Sequence, residues 1–267
     1  MEAPSDLFTL LLTSRLFKVE AEKRLYARIV CGTGRGDNPK ILVHYNTKPL
    51  YHVCRSLDVA VHVHTLDLHR FRPFQTDKER LFPQLATAYL SMHRLKTLRL
   101  PKLDSELIDA IPFPYCNFRL RIFGLLEMKG NVAMRRKLSV FMEQQTEIRE
   151  FEYGADFPPD ARDVITNLPA QSLPKLHSLQ MRLAPALNFL PKGRRIASAR
   201  ILHNFMDDDA DVTISLEKPL THLRSLRTRW NALPSFSGRL PSLNRLQLDG
   251  VMLFQTSCFA QRSDTPN

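Results

Sequence analysis

The feature that most constrains the fold of this chain is a nine-residue pattern that occurs four times. The four windows are MHRLKTLRL (92–100), LPKLHSLQM (173–181), LTHLRSLRT (220–228) and LPSLNRLQL (240–248). Each has Leu at its fourth and seventh positions and Arg or Gln at its eighth. In a chain with 43% hydrophobic residues, apolar spacing alone would be weak evidence, but repeated residue identity is a strong sign of internal repetition.

The shared core of the windows, L-x-x-L-x-L, is the strand segment of a leucine-rich repeat. Looser copies fill the gaps, at Val63/Leu66/Leu68, Asn117/Leu120/Ile122, Ile148/Phe151/Tyr153 and Ile196/Ala199/Ile201. The first positions of the eight copies are residues 63, 95, 117, 148, 176, 196, 223 and 243. Since neither a short strand nor its return segment can bury its own apolar face, the copies are expected to stack as neighbouring parallel strands.

The segments between the copies are predicted to be helices. Leu81, Leu85 and Tyr89 recur every four residues, and Leu138, Phe141, Met142 and Gln145 follow the same period. Val164, Ile165 and Leu168 do so as well, and Asp104 could cap a short helix that runs to Ile111. The predicted fold class is therefore α/β, an irregular leucine-rich-repeat solenoid with parallel strands on its concave face and helices on its convex face. The alternative is a doubly wound α/β domain, which lacks support because no glycine fingerprint follows a strand.

The predicted organisation has four parts. Residues 1–30 form a helical segment, residues 31–58 a linker and a helix, residues 59–253 the degenerate solenoid, and residues 254–267 a polar tail. In the first part, DLFTLLLTSRLFKVEAEKRLYARIV (6–30) is predicted to be an amphipathic helix, with Leu10, Phe17, Ala21 and Leu25 on its apolar side.

Part of that segment resembles a known family. LLLTSRLFKVEAEKRLYARI is similar to the last helix of an F-box and the linker after it in fungal F-box proteins with degenerate leucine-rich repeats. KLSVFMEQQTEIREFEY and LPKGRRIASARI resemble later segments of the same family. The opening L-P-x-E-L helix of an F-box has no counterpart in Met1 to Pro4, so the match is to a partial F-box.

The resemblance implies a role as a substrate-recognition subunit of a cullin-type ubiquitin ligase. In that family the F-box docks onto the small adaptor subunit of the ligase, and the repeats hold the protein substrate. The matching adaptor-binding positions in this chain are Leu10, Leu12, Ser14, Arg15, Phe17, Ala21, Leu25 and Tyr26. The alternative is a stand-alone leucine-rich-repeat binding protein, or a truncated paralogue, that has no link to a ligase.

The predicted ligand surface is the exposed side of the strands, because side chains alternate between the two faces of a sheet. Its central positions are predicted to be Asp67, Arg99, Arg121, Glu152, Gln180, Arg200, Arg227 and Gln247. Neighbouring positions add Arg119, Arg182, Arg229 and Arg245. Arginine suits the bidentate recognition of carboxylate or phosphate, whereas the alternative interpretation is an ordinary solvated strand face.

Charge and composition narrow the classes of partner. The formal net charge of +11 favours an acidic protein substrate, whereas nucleic-acid binding rests on net charge alone and is the less favoured class. Cys31, Cys54, Cys116 and Cys258 are widely spaced and are predicted to be reduced thiols. The apolar run Leu7 to Leu12 is too short to span a membrane, so an intracellular location, cytoplasmic or nuclear, is expected.

Other local motifs have simpler interpretations. Gly32-Thr33-Gly34-Arg35-Gly36-Asp37 lacks the Gly-Lys-Ser/Thr end of a phosphate-binding loop and is predicted to be a flexible linker. His62, His64 and His69 lack a completing ligand, and the Asp207 to Asp211 segment lacks the glycine of a calcium loop, so no metal or other cofactor is predicted. That acidic segment could instead pair with Arg194 and Arg195. No nucleophile–base motif stands out, and a non-enzymatic protein is predicted.

Overall fold

The chain forms an α/β fold around one open ten-stranded sheet. The computed structural model describes residues 15–35, 42–44, 48–71, 75–103, 111–128, 132–154, 168–169, 171–183, 186, 189–190, 194–202, 219–236 and 238–249. The helices are α1 (Arg15–Tyr26), α2 (Lys48–Arg55), α3 (Leu57–Ala60), α4 (Gln75–Ser91) and α5 (Val132–Gln144). The strands are β1 (Arg28–Arg35), β2 (Leu42–His44), β3 (Thr65–Arg70), β4 (Thr97–Leu103), β5 (Ile122–Met128), β6 (Glu150–Tyr153), β7 (Ser178–Arg182), β8 (Ser198–Leu202), β9 (Ser225–Arg229) and β10 (Arg245–Asp249). Short 3₁₀ turns cover Phe113–Tyr115 and Trp230–Phe236.

Strand order in the sheet follows the order of the chain. The order is β10-β9-β8-β7-β6-β5-β4-β3-β1-β2, and every neighbouring pair is parallel except β1 with β2. Nine strands are therefore parallel, and each of β3 to β9 lies beside the next strand in sequence. This confirms the predicted parallel stacking of the repeated windows and excludes a doubly wound order, in which the strand order reverses at a switch point.

The leucines of the repeated windows occupy equivalent positions in the sheet. Leu98, Leu179, Leu226 and Leu246 lie on β4, β7, β9 and β10, at the seventh position of their respective windows, and the strand registers align them. Three of these side chains are buried, whereas Leu246 on the last strand is 44% exposed. One face of the sheet thus carries a continuous apolar row, as the repeat predicts.

Helices cover the apolar face. Leu81, Leu85 and Tyr89 of α4 are completely buried, which confirms the predicted helical face. Leu138, Phe141 and Met142 of α5 are buried too, in the same core as the strand residues. The helix predicted near Val164 and the one predicted from Asp104 lie mostly outside the described residues.

Gln145, directly after α5, serves the backbone rather than the apolar core. Its side-chain oxygen accepts a hydrogen bond from the Leu120 amide at 2.9 Å, and its side-chain nitrogen donates to the Phe118 carbonyl at 3.3 Å. Because Gln145 is 4% exposed, these bonds satisfy polar groups that water does not reach. The side chain therefore holds the loop before β5 against the end of α5.

The N-terminal segment differs from its prediction. Helix α1 ends at Tyr26 rather than continuing to residue 30, because the Ala27 carbonyl accepts hydrogen bonds from the amides of His64 and Thr65 and the chain continues as β1. The flexible linker predicted at residues 32–37 is also wrong for Gly32 to Arg35, which belong to β1. Its residues 33–35 pair with β2. The parallel sheet thus contains a strand that the repeat did not predict.

The core carries an aromatic cluster and a buried arginine. Phe123 and Phe151 on adjacent strands stack with centroids 6.0 Å apart, and Phe151 also contacts Phe189.

Arg194 lies over the Phe189 ring and donates hydrogen bonds to the carbonyls of Phe189, Leu168 and Pro169. Burial lowers the pKa of Arg194 to about 10. Its described partners are thus backbone carbonyls, and the acidic segment from Asp207 to Asp211, predicted to pair with Arg194 and Arg195, lies outside the described residues.

The thiols agree with the expected reduced state in the part of the chain described. Cys31, Cys54 and Cys116 are free, and burial raises the pKa of each to about 12. Cys258 lies outside the described residues. No helix in the described portion has both the length and the apolar character needed to cross a membrane.

Candidate ligand-binding face

The face of the sheet opposite the helices presents a row of polar side chains. One residue from each parallel strand lies in register across it, and we call these residues the central row. They are Val30, Asp67, Arg99, Gly124, Glu152, Gln180, Arg200, Arg227 and Gln247. Seven of the eight residues predicted for the centre of this face therefore lie in one row, because strand alternation exposes the residue between two buried positions.

The prediction for Arg121 is wrong. The register pairs Arg99 with Gly124 and Leu98 with Phe123, so the repeat in β5 reads Leu120/Phe123/Leu125 rather than Asn117/Leu120/Ile122. Arg121 lies before β5, where its amide donates to the Lys96 carbonyl, and Arg119 lies two residues earlier. Both arginines are exposed, but neither belongs to the central row. Phe123 stands where the other windows have Leu, and Gly124 follows it, so the sequence pattern did not indicate the correct register of β5.

The N-terminal half of the central row is an internal ion-pair network. Arg99 donates from Nε and Nη2 to the two carboxylate oxygens of Glu152, at 2.9 and 2.8 Å, and from Nη1 to Asp67 at 3.5 Å. The hydrogen bond to Glu152 is the main reason why the pKa of Arg99 is raised. In this half, one arginine is therefore shared by two carboxylates.

This network depends on Gly124. Glu152 is on β6 and Arg99 is on β4, so the pair crosses over β5 at the position of Gly124. A Cβ atom on residue 124 would lie 2.9 Å from Arg99 Cγ and 3.0 Å from Glu152 Oε2. Because residue 124 has no side chain, there is space above β5 for Arg99 on β4 to pair with Glu152 on β6, two strands away.

The C-terminal half of the row is basic and forms a depression. The depression has a volume of about 320 Å³ and extends from β6 to β10. Arg200, Arg227 and Arg245 line it from β8, β9 and β10, and Glu150 and Glu152 line its other end. Arg200 Nη1 contacts Gln180 Oε1 at 3.4 Å, a long hydrogen bond. Because Glu152 is already engaged by Arg99, this half has a net positive charge.

The other residues predicted for this face differ in their surroundings. Arg182 donates to the Gly154 carbonyl at 3.0 Å, which holds its side chain near the end of β6. Arg245 is exposed and lines the depression, whereas the side chain of Arg229 is outside the described part. Gln247 is exposed on the last strand.

Sequence reasoning missed a second set of lining residues. Ser178, Ser198 and Ser225 are aligned on three adjacent strands and lie in the floor of the depression, and Glu150 holds the same position on β6. The signal was present, because each occupies the second variable position of L-x-x-L-x-L. These hydroxyls offer short hydrogen-bonding groups between the longer arginine side chains.

The F-box-like positions are only partly described. Leu10, Leu12 and Ser14 lie outside the described residues, and Arg15 begins α1. Phe17 is 55% exposed, Ala21 is buried, and Leu25 and Tyr26 are half-buried. The expected apolar stripe therefore faces the core at Ala21 but not at Phe17.

Tyr26 joins α1 to the following helix. Its ring stacks on the His52 ring of α2, with the centroids 5.2 Å apart. Burial is the main cause of the raised pKa of the Tyr26 hydroxyl, and Glu22 adds to it. The C-terminal end of α1 is thus anchored, while Phe17 near its start points into solvent.

The face carries side chains that are suited to contacts with anionic and hydrogen-bonding groups. Its arginines can hold carboxylates or phosphates, and its serines and glutamines can hydrogen-bond peptide groups. No histidine or cysteine is among the described residues that line the depression. Within the described residues there is also no group of three or more His, Cys, Asp or Glu side chains that could hold a metal ion.

This chain matches no protein-family model and no curated protein sequence. Its function is therefore inferred from the structural features described above.

Proposed function

We propose that this chain is a leucine-rich-repeat solenoid that acts without catalysis, by binding an acidic segment of a partner protein on its open sheet face. The observation that carries the proposal is the C-terminal half of the central row. There Arg200, Arg227 and Arg245 line a depression of about 320 Å³ that also holds Glu150 and Glu152, and Glu152 is paired with Arg99. Among the described lining residues arginines outnumber carboxylates, so a carboxylate-bearing peptide would complement this surface.

The sheet architecture supports this proposal. Parallel strands that stack in chain order and leave one face open are typical of solenoids, which present extended binding surfaces rather than enclosed pockets. Guanidinium groups match carboxylates in bidentate geometry, and serine hydroxyls between them can bind the peptide backbone. An extended acidic segment would cross the strands from β6 to β10.

A peptide-display selection tests this surface. The wild-type chain is expected to enrich peptides rich in Asp and Glu, whereas the R200E/R227E/R245E variant should lose them through direct repulsion. A matched control is R55E/R80E/R136E, which makes the same charge change at three exposed helical arginines. Selection of the same acidic peptides by the first variant and the wild type would refute the proposed surface.

We further propose that the chain is a substrate-recognition subunit of a cullin-type ubiquitin ligase, with α1 on the adaptor side. The F-box-like sequence suggests this role, and the surface of α1 adds a physical reason. Phe17 and Val19 are 55% and 50% exposed on α1, so they offer apolar area that a partner could cover. Burial of such groups is a favourable contribution to docking.

Co-purification with the recombinant adaptor subunit tests the ligase link. The wild-type chain is expected to retain the adaptor, and F17E/V19E should lose it. The control L90E/V140E changes two equally exposed apolar residues on α4 and α5 and should retain it. Absence of adaptor from the wild-type sample would favour the alternative, a stand-alone binding solenoid, while leaving the peptide-binding face intact.

A further inference from the structure

A second surface follows from the residues that precede each strand. In the motif L-x-x-L-x-L, the first variable residue lies just before the strand, and backbone hydrogen bonds connect these residues from one repeat to the next. We call them the leading row: His64, Lys96, Arg121, Arg149, His177, Ala197, Arg224 and Asn244. Each of the last seven donates its amide proton to the carbonyl of the member before it, at 2.7 to 3.0 Å. The leading row is thus a continuous line across the N-terminal ends of strands β3 to β10, which form one edge of the sheet.

A second line runs beside the first. The residues two positions earlier form the outer row: His62, Arg94, Arg119, Glu147, Lys175, Arg195, His222 and Ser242. The residue between each pair is buried or half-buried, such as Leu95 between Arg94 and Lys96. All of the lysines and arginines in both rows are exposed.

The two rows, together the basic edge, differ sharply from the rest of the chain in composition. Eight of their sixteen residues are Lys or Arg and four are His. The chain holds 38 Lys and Arg and 9 His in 267 residues, so about three would be expected in sixteen positions at random. In these rows Glu147 is the sole acid, and Lys175 binds it at 2.6 Å. With eight cations and one carboxylate, the two rows have a net charge of +7, against +11 for the whole chain.

The positive charge of the basic edge contributes to shifts in the pKa of Glu147 and His64. The pKa of Glu147 is lowered, chiefly by the hydrogen bond from Lys175 and then by the charges of Arg149 and Arg119. The pKa of His64 is lowered by burial first and then by Lys96 and Arg94. Arg94, Lys96, Arg119, Arg121, Arg149, Arg195 and Arg224 form no ion pair with another described residue. Glu147, which Lys175 binds directly, is the sole carboxylate within the two rows to offset these seven cations.

The dimensions fit a phosphodiester backbone. Lys96 directly precedes β4 and Arg224 directly precedes β9. Five strand spacings separate these two strands, which is a length of about 24 Å. One strand of a duplex places a phosphate about every 3.4 Å along its axis, which is about seven phosphates over that length. The number of cations and the number of phosphates are therefore similar.

An acidic protein fits this edge less well. Protein interfaces are depleted in charge at their centres and anchored by buried aromatic or arginine side chains within pockets. The two rows contain no aromatic ring other than histidine and no large aliphatic side chain. A line of positive charge over about 24 Å, interrupted only by the paired Glu147, calls instead for a ligand of repeating negative charge.

We propose that the basic edge binds the sugar–phosphate backbone of nucleic acid, without sequence preference. The edge lies three residues, or about 10 Å, before the central row along each strand, and one residue before the serines of the depression, so it is a distinct but adjoining surface. The +11 charge alone could not identify this site. Its arrangement in two aligned rows does.

Binding of a fluorescein-labelled 20-base-pair DNA duplex of mixed sequence, measured by anisotropy on the full chain, tests this proposal. If five cations each neutralise one phosphate, the slope of log K against log salt is about −4.5, and affinity falls about 500-fold between 50 and 200 mM salt. In R121E/R149E/R224E the slope should decline to about −2, and binding at 50 mM should be at least about 100-fold weaker.

The matched control is again R55E/R80E/R136E, which reduces the net charge from +11 to +5, as the first variant does. It should keep most of the wild-type affinity and slope, and thermal melting should show that both variants fold. Equal loss in the two variants would attribute binding to net charge and overturn the proposal. So would no binding of the duplex at 50 mM salt. Preference for poly-glutamate over the duplex would identify an acidic protein as the ligand instead.

Discussion

Substitution of Gly124 by alanine should separate the ion-pair network from the rest of the fold. An added Cβ would meet Arg99 Cγ at 2.9 Å and Glu152 Oε2 at 3.0 Å, so the bidentate pair must move apart. Charge-assisted hydrogen bonds contribute about 1.5–3 kcal/mol, and the pair is 26% and 22% exposed, which favours the lower end, about 1.5–2 kcal/mol. Alanine itself stabilises a strand by about 0.5–1 kcal/mol relative to glycine. The net expected loss in free energy of unfolding is about 1 kcal/mol.

The diagnostic result is a change of sign. In an R99A background the pair is already absent and the closest clash is removed, so G124A should stabilise the protein by about 0.5 kcal/mol. Urea denaturation of the wild type, G124A, R99A and R99A/G124A measures all four free energies. If G124A has the same effect in both backgrounds, the gap at Gly124 does not support the ion pair and the reasoning is refuted.

Three further predictions concern the core. R194M should reduce the free energy of unfolding by about 3 kcal/mol, because two buried carbonyls and the part-buried Pro169 carbonyl lose their donor; a loss below about 1 kcal/mol in urea denaturation would contradict this. F151A should cost about 3–5 kcal/mol by the same measurement, because its ring is enclosed by other aromatic rings, and a cost like that of a surface change would be inconsistent with that packing. In C258S, the three remaining thiols have a pKa near 12 against an ordinary 9.0, so at pH 8 iodoacetamide should alkylate them about 1000-fold more slowly than a free thiol. Rapid alkylation of the folded protein would show that they are not buried.

The repeated leucines were sufficient to predict most of the sheet. Where a strand keeps Leu or Ile at the fixed positions, as around Leu98 and Leu226, the sequence pattern and the register agree. The pattern failed at β5 because Phe123 and Gly124 replace the expected residues. It missed β1 because Ile29 and Cys31, which are buried on that strand, followed a helix and preceded a glycine-rich run.

The candidate site was predictable in outline but not in its interactions. Strand alternation is a local property, so it located the central row. The pairing of Arg99 with Glu152 depends on which strands flank β5 and on an absent side chain, neither of which periodicity reports. The basic edge was visible in the third and fifth letters of the aligned windows, but comparing only the shared leucines left it unnoticed.

The exposure of Leu246 links ligand binding to order at the end of the sheet. Strand β10 pairs with β9 and with no other described strand, and its core-facing leucine is 44% exposed, so this strand is held by fewer contacts than those before it. A ligand that spans from Glu150 to Arg245 would grip β10 together with four inner strands. Part of its binding free energy would then be spent on suppressing fraying, and amide exchange in β10 should slow more than elsewhere when the ligand binds.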